Sequence, residues 1–285
     1  MKNFTLIFLS LCCIAFSQTN AQEQSLLYKL EGKDIKTSYI FGTIHMLPQE
    51  DFHMPQKVKD AFEQSDELYL ELDMDDPKMM RKMMSKMMLA QDDELANHVD
   101  STEYKLLDAY LKENVGMSFG QFNRFKPLYL SSTVVASLVG KQIVSFEMRF
   151  INMAKAAKKE LKGLETVEEQ IAIFDNISYE EQMDDLVEML EDPAEAKELF
   201  DNMVSVYKSE QIDSLFNYTL SYFDNDKEMI NNLLLNRNKK WVEIIPKISK
   251  DKKVLYAVGA GHLGGKQGVI QLLRDKGYKV TPVLD

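Results

Sequence analysis

Residues 254–280 read VLYAVGAGHLGGKQGVIQLLRDKGYKV, and this stretch decides the fold. Lys253 to Val258 is short, apolar and rich in β-branched and aromatic residues, which predicts a buried strand. A helix is expected over Gly265 to Lys276, closed by Gly277, with a last strand over Tyr278 to Leu284. Near the other end, Ser38 to Ile44 (SYIFGTI) predicts another buried strand. Pro55 then opens a helical pattern through Ala61 and Phe62, and Glu67 to Leu72 (ELYLEL) alternates as a strand. Strand, helix, strand indicates a βαβ-like unit. Neither end has its partner strands nearby in sequence, so both are expected in one central mixed sheet of an α/β (α+β) fold.

Between the two ends, from about residue 76 to 250, helical periods separated by cap signals predict a large helical insert. Asp76 and Pro77 form a cap and first-turn pair, and Pro127 opens an apolar helix that Gly140 closes. Ser178 with Glu181 reads as a capping box, and Asp192 with Pro193 restarts the chain. Leu161 to Leu164 interrupts the helices as a short strand near 161–165. No repeat and no low-complexity linker divides the chain, so residues 22–285 read as a single domain.

Residues 1–21 read as a cleavable signal peptide: Lys2, an apolar run from Phe4 to Phe16, polar residues, then the small Ala21. The run is shorter than the ~20 residues a membrane-spanning helix needs. Attachment of a lipid needs a small residue directly before a cysteine, and Leu11 precedes Cys12. The expectation is an exported protein, periplasmic or secreted, without stable membrane insertion. Cleavage would remove Cys12 and Cys13, the only cysteines, leaving no disulfide and no thiolate metal site. It would also remove Lys2, so 33 basic face 45 acidic side chains and the net charge becomes −12. Such a surface repels phosphate backbones, which excludes nucleic acid as a partner.

The chemistry-bearing signal is a repeated spacing, Gly-x-x-His. Gly42-Thr43-Ile44-His45 follows the SYIFGTI strand, and Gly259-Ala260-Gly261-His262 follows the KVLYAV strand. Ligands of open α/β sheets sit outside the carboxyl ends of strands, where both histidines would emerge. Glu71 stands near the carboxyl end of ELYLEL, and a carboxylate among apolar strand residues must be paired, protonated or metal-bound. Two imidazoles and a carboxylate suit a divalent metal, Zn²⁺, Mn²⁺, Fe²⁺ or Co²⁺, with positions open for water and substrate. Glu165 ends the short insert strand, and Arg237 is a candidate to clamp a carboxylate or an oxyanion. Asn238 would orient neighbours or hydrogen-bond substrate. On residues alone, Arg237 reads rather as a solvated helix residue.

Taken together, YIFGTIH at 39–45, ELYLELDM at 67–74, GLETVEEQ at 163–170, LLLNRNKKW at 233–241 and the 254–280 block resemble the TraB/GumN family, more distantly the Tiki proteins and erythromycin esterases. The resemblance covers nearly all of residues 22–285. It implies an α/β core with a helical insert, paired GxxH motifs at the site and, in the Tiki branch, metal-dependent peptidase activity. It implies His45, Glu71 and His262 as core site residues and Glu165 and Arg237 near them.

Other conspicuous features carry less. Met79, Met80, Met83, Met84, Met87 and Met88 lie at helical spacing and read as a soft packing face rather than a copper site. His53 and His98 have no partner spacing, and His98 reads as surface. GAGHLGG lacks the Lys and Ser/Thr of a phosphate loop. The expected function is a metal-dependent hydrolase, of peptidase or esterase type, acting on a peptide or small-molecule substrate. A metal-free version with a histidine base uses the same residues. The alternative is a non-catalytic protein that sequesters a peptide, metal or haem.

Overall fold

The computed structural model describes residues 25–140, 142–223 and 226–285. The expected leader and its two cysteines lie outside the described residues.

Among the described residues eight strands form two sheets: β1 (Leu27–Glu31), β2 (Ser38–Thr43), β3 (Leu47–Pro48), β4 (Glu67–Leu70), β5 (Ile143–Val144), β6 (Glu160–Gly163), β7 (Val254–Gly259) and β8 (Lys279–Pro282). The central sheet has the order β6-β4-β7-β2-β1-β8. Its four strands β6, β4, β7 and β2 run parallel, while β1 is antiparallel to both β2 and β8. The two chain ends therefore do share one mixed sheet. Every residue from Val254 to Val258 is buried, so both faces of β7 are covered, as a continuous apolar run in a parallel strand requires. β3 and β5 form a separate antiparallel ribbon, Leu47 opposite Val144 and Pro48 opposite Ile143.

The helices are α1 (Gln56–Gln64), α2 (Met79–Lys86), α3 (Ser101–Asn114), α4 (Pro127–Val139), α5 (Phe146–Ala157), α6 (Val167–Ile171), α7 (Tyr179–Glu191), α8 (Pro193–Lys208), α9 (Ile212–Tyr222), α10 (Lys227–Ile230), α11 (Asn236–Ile248) and α12 (Val269–Asp275). Trp241, Phe150, Val58 and Leu273 bring α11, α5, α1 and α12 into the same apolar core as the strands. A second core, around Leu107, Leu111, Phe122, Leu130, Val134 and Leu186, lies wholly within the insert and joins α3, α4 and α7.

Several local expectations shift. β1 has no counterpart in the sequence reading, because LYKLE is short and bounded by weak turn signals. α12 begins at Val269, not Gly265. The intervening loop is so tight that a Cβ on Gly268 would lie 2.0 Å from the Gly264 carbonyl oxygen, and one on Gly264 would lie 2.1 Å from that of Ile212. Gly277 does close the helix in the left-handed region, φ 89°. The last strand is Lys279–Pro282 rather than Tyr278 to Leu284. Ser178 accepts from the Glu181 N–H, one half of the expected box. The methionine stripe is split: Met79, Met83 and Met87 pack with Leu72, Val167 and Ile171, whereas Met80, Met84 and Met88 are exposed.

His98, read as a surface residue, is instead a strut of the helical lobe. Its Nδ1 donates to Glu180 on α7 at 2.7 Å and its Nε2 to Asp93 at 2.9 Å. Both acceptors are carboxylates, so the ring carries both protons. Partial burial would lower its pKa, but the bonds to Glu180 and Asp93 outweigh that and raise it. A raised folded-state pKa contributes stability that is fully present below the unfolded value of about 6.5 and is lost as pH rises through the folded value. The thermal midpoint is therefore expected to fall more steeply above pH ~6.5 in the wild type than in His98→Gln, measured by circular dichroism across a pH series. Parallel curves for the two proteins would remove His98 as the cause.

Candidate active site

Four adjacent parallel strands each deliver one side chain at the carboxyl edge of the sheet. β6 leads into Glu165, β4 into Glu71, β7 into the turn Ala260–His262, and β2 into His45. Register sets the height: Thr43 pairs with Gly259, and the ladder runs past the strand ends through the bond from Glu165 N–H to the Glu71 carbonyl at 3.0 Å. A Cβ added to Gly259 would lie 3.2 Å from Glu71 Oε1, 3.6 Å from His262 Cδ2 and 4.0 Å from His45 Nε2, so the three side chains converge on that one glycine. The structure thus brings together His45, Glu71 and His262, and also Glu165.

The helical insert closes over them. Asn231–Leu235 forms a π-helical turn, and α11 follows with Arg237, Asn238 and Trp241 turned to the sheet. Such turns recur where a helix must aim side chains at a site. The Arg237 guanidinium donates Nη2–H to Glu71 Oε2 at 2.5 Å and Nε–H to Glu165 at 3.0 Å, with Nη2 also bonded to Glu165. Its Nη1 reaches the Leu233 carbonyl at 2.9 Å and His262 Nε2 at 3.0 Å. Arg237 is thus no solvated residue but a half-buried clamp, its guanidinium carbon 4.9 Å from the centre of the Trp241 ring. Gln170 on α6 donates to the same two carboxylates, 3.0 Å to Glu71 and 2.8 Å to Glu165.

Each histidine has its Nδ1 fixed. Asn238 donates its Nδ2–H to the Gln267 carbonyl, which turns its Oδ1 to His262 Nδ1 at 2.6 Å. His262 therefore carries its proton on Nδ1 and presents the Nε2 lone pair inward. His45 Nδ1 donates to Glu147 Oε1 at 3.0 Å. Glu147 is held in turn by the hydroxyls of Thr43 at 2.8 Å and Ser145 at 2.5 Å. The β3–β5 ribbon makes this contact by tying the chain just after His45 to the segment just before α5.

Glu147 and Gln170 escaped the sequence reading. Both sit in ordinary helical pattern, about a hundred residues in sequence from His45 and Glu71, which they hold. The one available signal was Ser145 two residues before Glu147 at a helix start, which reads first as a cap, and Ser145 does accept from the Met148 N–H.

Charges sort the site. Burial would push the Glu71 carboxyl up, but Arg237 first, then His262, His45 and the Gly259 N–H, hold it at about 2. Burial and then the Arg237 charge press His262 down to about 3, so it is neutral. The protein packed around the His45 ring partly desolvates it and opposes its charging, yet the hydrogen bond and charge of Glu147 lift it above its ordinary value. Its side chain is 63% exposed at the mouth of a cleft of about 270 Å³ lined by Glu71, Met74, Glu147 and Gln170, while His262 is buried behind it.

An α/β protein with paired histidines, carboxylates and one arginine at the carboxyl edge of parallel strands is thereby defined. Residues 26–282 match the TraB/PrgY/gumN family, and the chain belongs to it. Among curated relatives it is similar to Metalloprotease TIKI2 of Xenopus tropicalis, 24% identical over 85% of this chain and 57% of the relative. Similarity to Metalloprotease TIKI1 of Homo sapiens is 24% over 85% of this chain and 59% of the relative. An uncharacterized protein of Treponema pallidum (strain Nichols) is 21% identical over 94% of this chain and 87% of the relative. The chain spans only about three-fifths of the length of the two metalloproteases. No solved structure matches it.

Removing Arg237 would leave two buried carboxylates without a counter-ion. Arg237→Ala is expected to cost about 3–5 kcal/mol of unfolding free energy, and adding Glu165→Gln should recover part of it. Urea unfolding of the single and double variants measures both; a neutral Arg237→Ala would show that the clamp carries no stability.

Proposed function

We propose that this chain is a metal-dependent hydrolase of the peptidase type that acts outside the cytoplasm. The observation that carries the reading is the convergence of His45 and His262, from two GxxH segments at opposite ends of the chain, on Glu71 beside Gly259. The names of the TIKI relatives support the peptide-bond choice.

The donor set fits a divalent ion. Two imidazoles offer nitrogen and Glu71 offers oxygen, and each ring has its Nδ1–H on an oxygen acceptor, the arrangement that orients metal-binding histidines. His45, Glu71 and His262 would hold the ion, which would supply a Lewis acid and a bound water of lowered pKa. Among the described residues no three His, Asp or Glu side chains stand at ligand distance, because Arg237 donates into the same space. A bound ion would compete with Arg237 for the His262 Nε2 lone pair. Arg237 is the cation beside these residues that could meet negative charge developing on a substrate carbonyl oxygen. Glu147 and Asn238 keep the two imidazoles in the required orientation, and Gln170 holds both carboxylates in place.

One observation favours a second reading, a protein that binds a peptide without cleaving it: Arg237 already satisfies Glu71 and His262. Turnover separates the two. Purified protein is expected to retain about one equivalent of Zn²⁺, Mn²⁺, Fe²⁺ or Co²⁺ by elemental analysis and to hydrolyse peptides over many turnovers, both lost in a folded His262→Ala. Glu147→Gln should weaken metal affinity about 10- to 100-fold, measured by competition with a chelating dye. Peptide binding without turnover under any of the four ions would select the second reading. The Met1–Ala21 leader belongs to the same proposal: the exported protein is expected to begin at Gln22, read by N-terminal sequencing.

A further inference from the structure

We propose that the site continues past Arg237 into a second groove, which binds the main chain of an extended peptide substrate. The inference rests on the hydrolase reading for its substrate class. It is carried by a cleft of about 260 Å³ that lies on the far side of Arg237 and Glu165 from His45.

One wall is the helical face of Asn232, Asn236 and Lys240, spaced four residues apart on the π-helical turn and α11. The other is α6 and the turn after it, with Glu169, Ile173 and Asn176. The floor is the Arg237–Glu165 pair. This same pair, with Gln170, forms the crest between the two clefts, since Arg237 and Gln170 each bridge Glu71 on one side and Glu165 on the other.

The groove's charges cancel within it. Lys240 is paired with Glu169 across its width, and Arg237 with Glu165 along its floor. No net charge is left to select an anion or a cation. What remains for recognition is a set of neutral carboxamides. Asn236 shares only a long 3.4 Å bond with Asn232, and Asn176 has no side-chain hydrogen bond among the described residues. A carboxamide offers a donor and an acceptor on one planar group, the complement of a peptide unit. Ile173 adds an apolar surface for a side chain on the same strand of substrate. Nothing aromatic lines the groove, which disfavours the stacked face a sugar ring would need.

Fluorescein-labelled neutral peptides of two to eight residues, titrated against the whole protein and followed by anisotropy, test this. Affinity is expected to rise once a peptide is long enough to cross the crest. In the triple variant Asn176→Ala, Asn232→Ala, Asn236→Ala that gain should shrink about tenfold or more, the loss of two or three neutral hydrogen bonds. Asn236→Trp, which fills the groove from an exposed helical position, should do the same. Unchanged long-peptide affinity in both folded variants overturns the groove, and so does tighter binding of a neutral oligosaccharide than of any peptide. Because binding is read without turnover, the two readings fail separately. Length-dependent binding with no hydrolysis removes the enzyme and keeps the groove; hydrolysis indifferent to the three asparagines keeps the enzyme and removes the groove.

Discussion

The Arg237 guanidinium, shared between Glu71 and Glu165, is the constraint on which the rest of the site depends. Both carboxylates are buried, and withdrawing a charge of either sign from water costs several kcal/mol that only close, well-hydrogen-bonded pairing offsets. One cation between two anions leaves the group short of positive charge. Gln170 and the Gly259 N–H fill the remaining lone pairs of Glu71 without adding charge. His262 cannot supply the missing cation, because burial and then the guanidinium 3.0 Å away disfavour its charged form. Burial and the arginine together keep the imidazole neutral, Asn238 turns its lone pair inward, and the fully buried Trp241 lies against both His262 and Arg237.

Parallel pairing explains how distant segments meet. Adjacent parallel strands end on the same edge, so four short strands suffice to gather side chains from positions 45, 71, 165 and 262. The two GxxH segments nevertheless behave differently. After Gly259 the chain tightens into a 3₁₀ turn that tucks His262 inward against Trp241. After Gly42 strand β2 continues one residue further and the chain leaves toward the β3–β5 ribbon, so His45 stands at the mouth. Equal spacing in sequence thus yields one buried and one solvent-facing imidazole.

The central strands and the edge positions of His45, Glu71 and His262 were legible because each rests on a local signal: a short apolar run, a glycine after it, and a polar residue where the run stops. Arg237 was legible only through family resemblance. Its surroundings, LLLNRNKKW, have the look of a helix with a basic exposed face, and periodicity cannot announce that a π-helical turn rotates Arg237 and Asn238 toward the sheet. Glu147 was illegible for a different reason. Its role is created by the two-residue ribbon β3–β5, too short to leave a pattern, which joins positions about a hundred residues apart. The start of α12 differs from the expectation because a glycine can stand at a helix entry, whereas backbone crowding at Gly264 and Gly268 keeps that segment a tight loop against the start of α9.

A division follows from where the partners come. The sheet edge carries His45, Glu71 and His262, while the groups that orient them, Glu147, Gln170, Arg237 and Asn238, all belong to the insert. The insert also has an apolar core of its own, separate from that of the sheet. That separate core joins α3, α4 and α7, whereas α5 and α11 pack into the core of the sheet, so the orienting groups are tied to the strands by packing as well as by hydrogen bonds. Such bonds are directional and lose most of their strength within a few tenths of an ångström and a few tens of degrees. The sheet edge fixes where the reactive atoms lie, and the helices packed on it fix how each is turned, so side-chain changes in α5, α6 or α11 can retune proton positions and cleft shape while the strand register stays as it is.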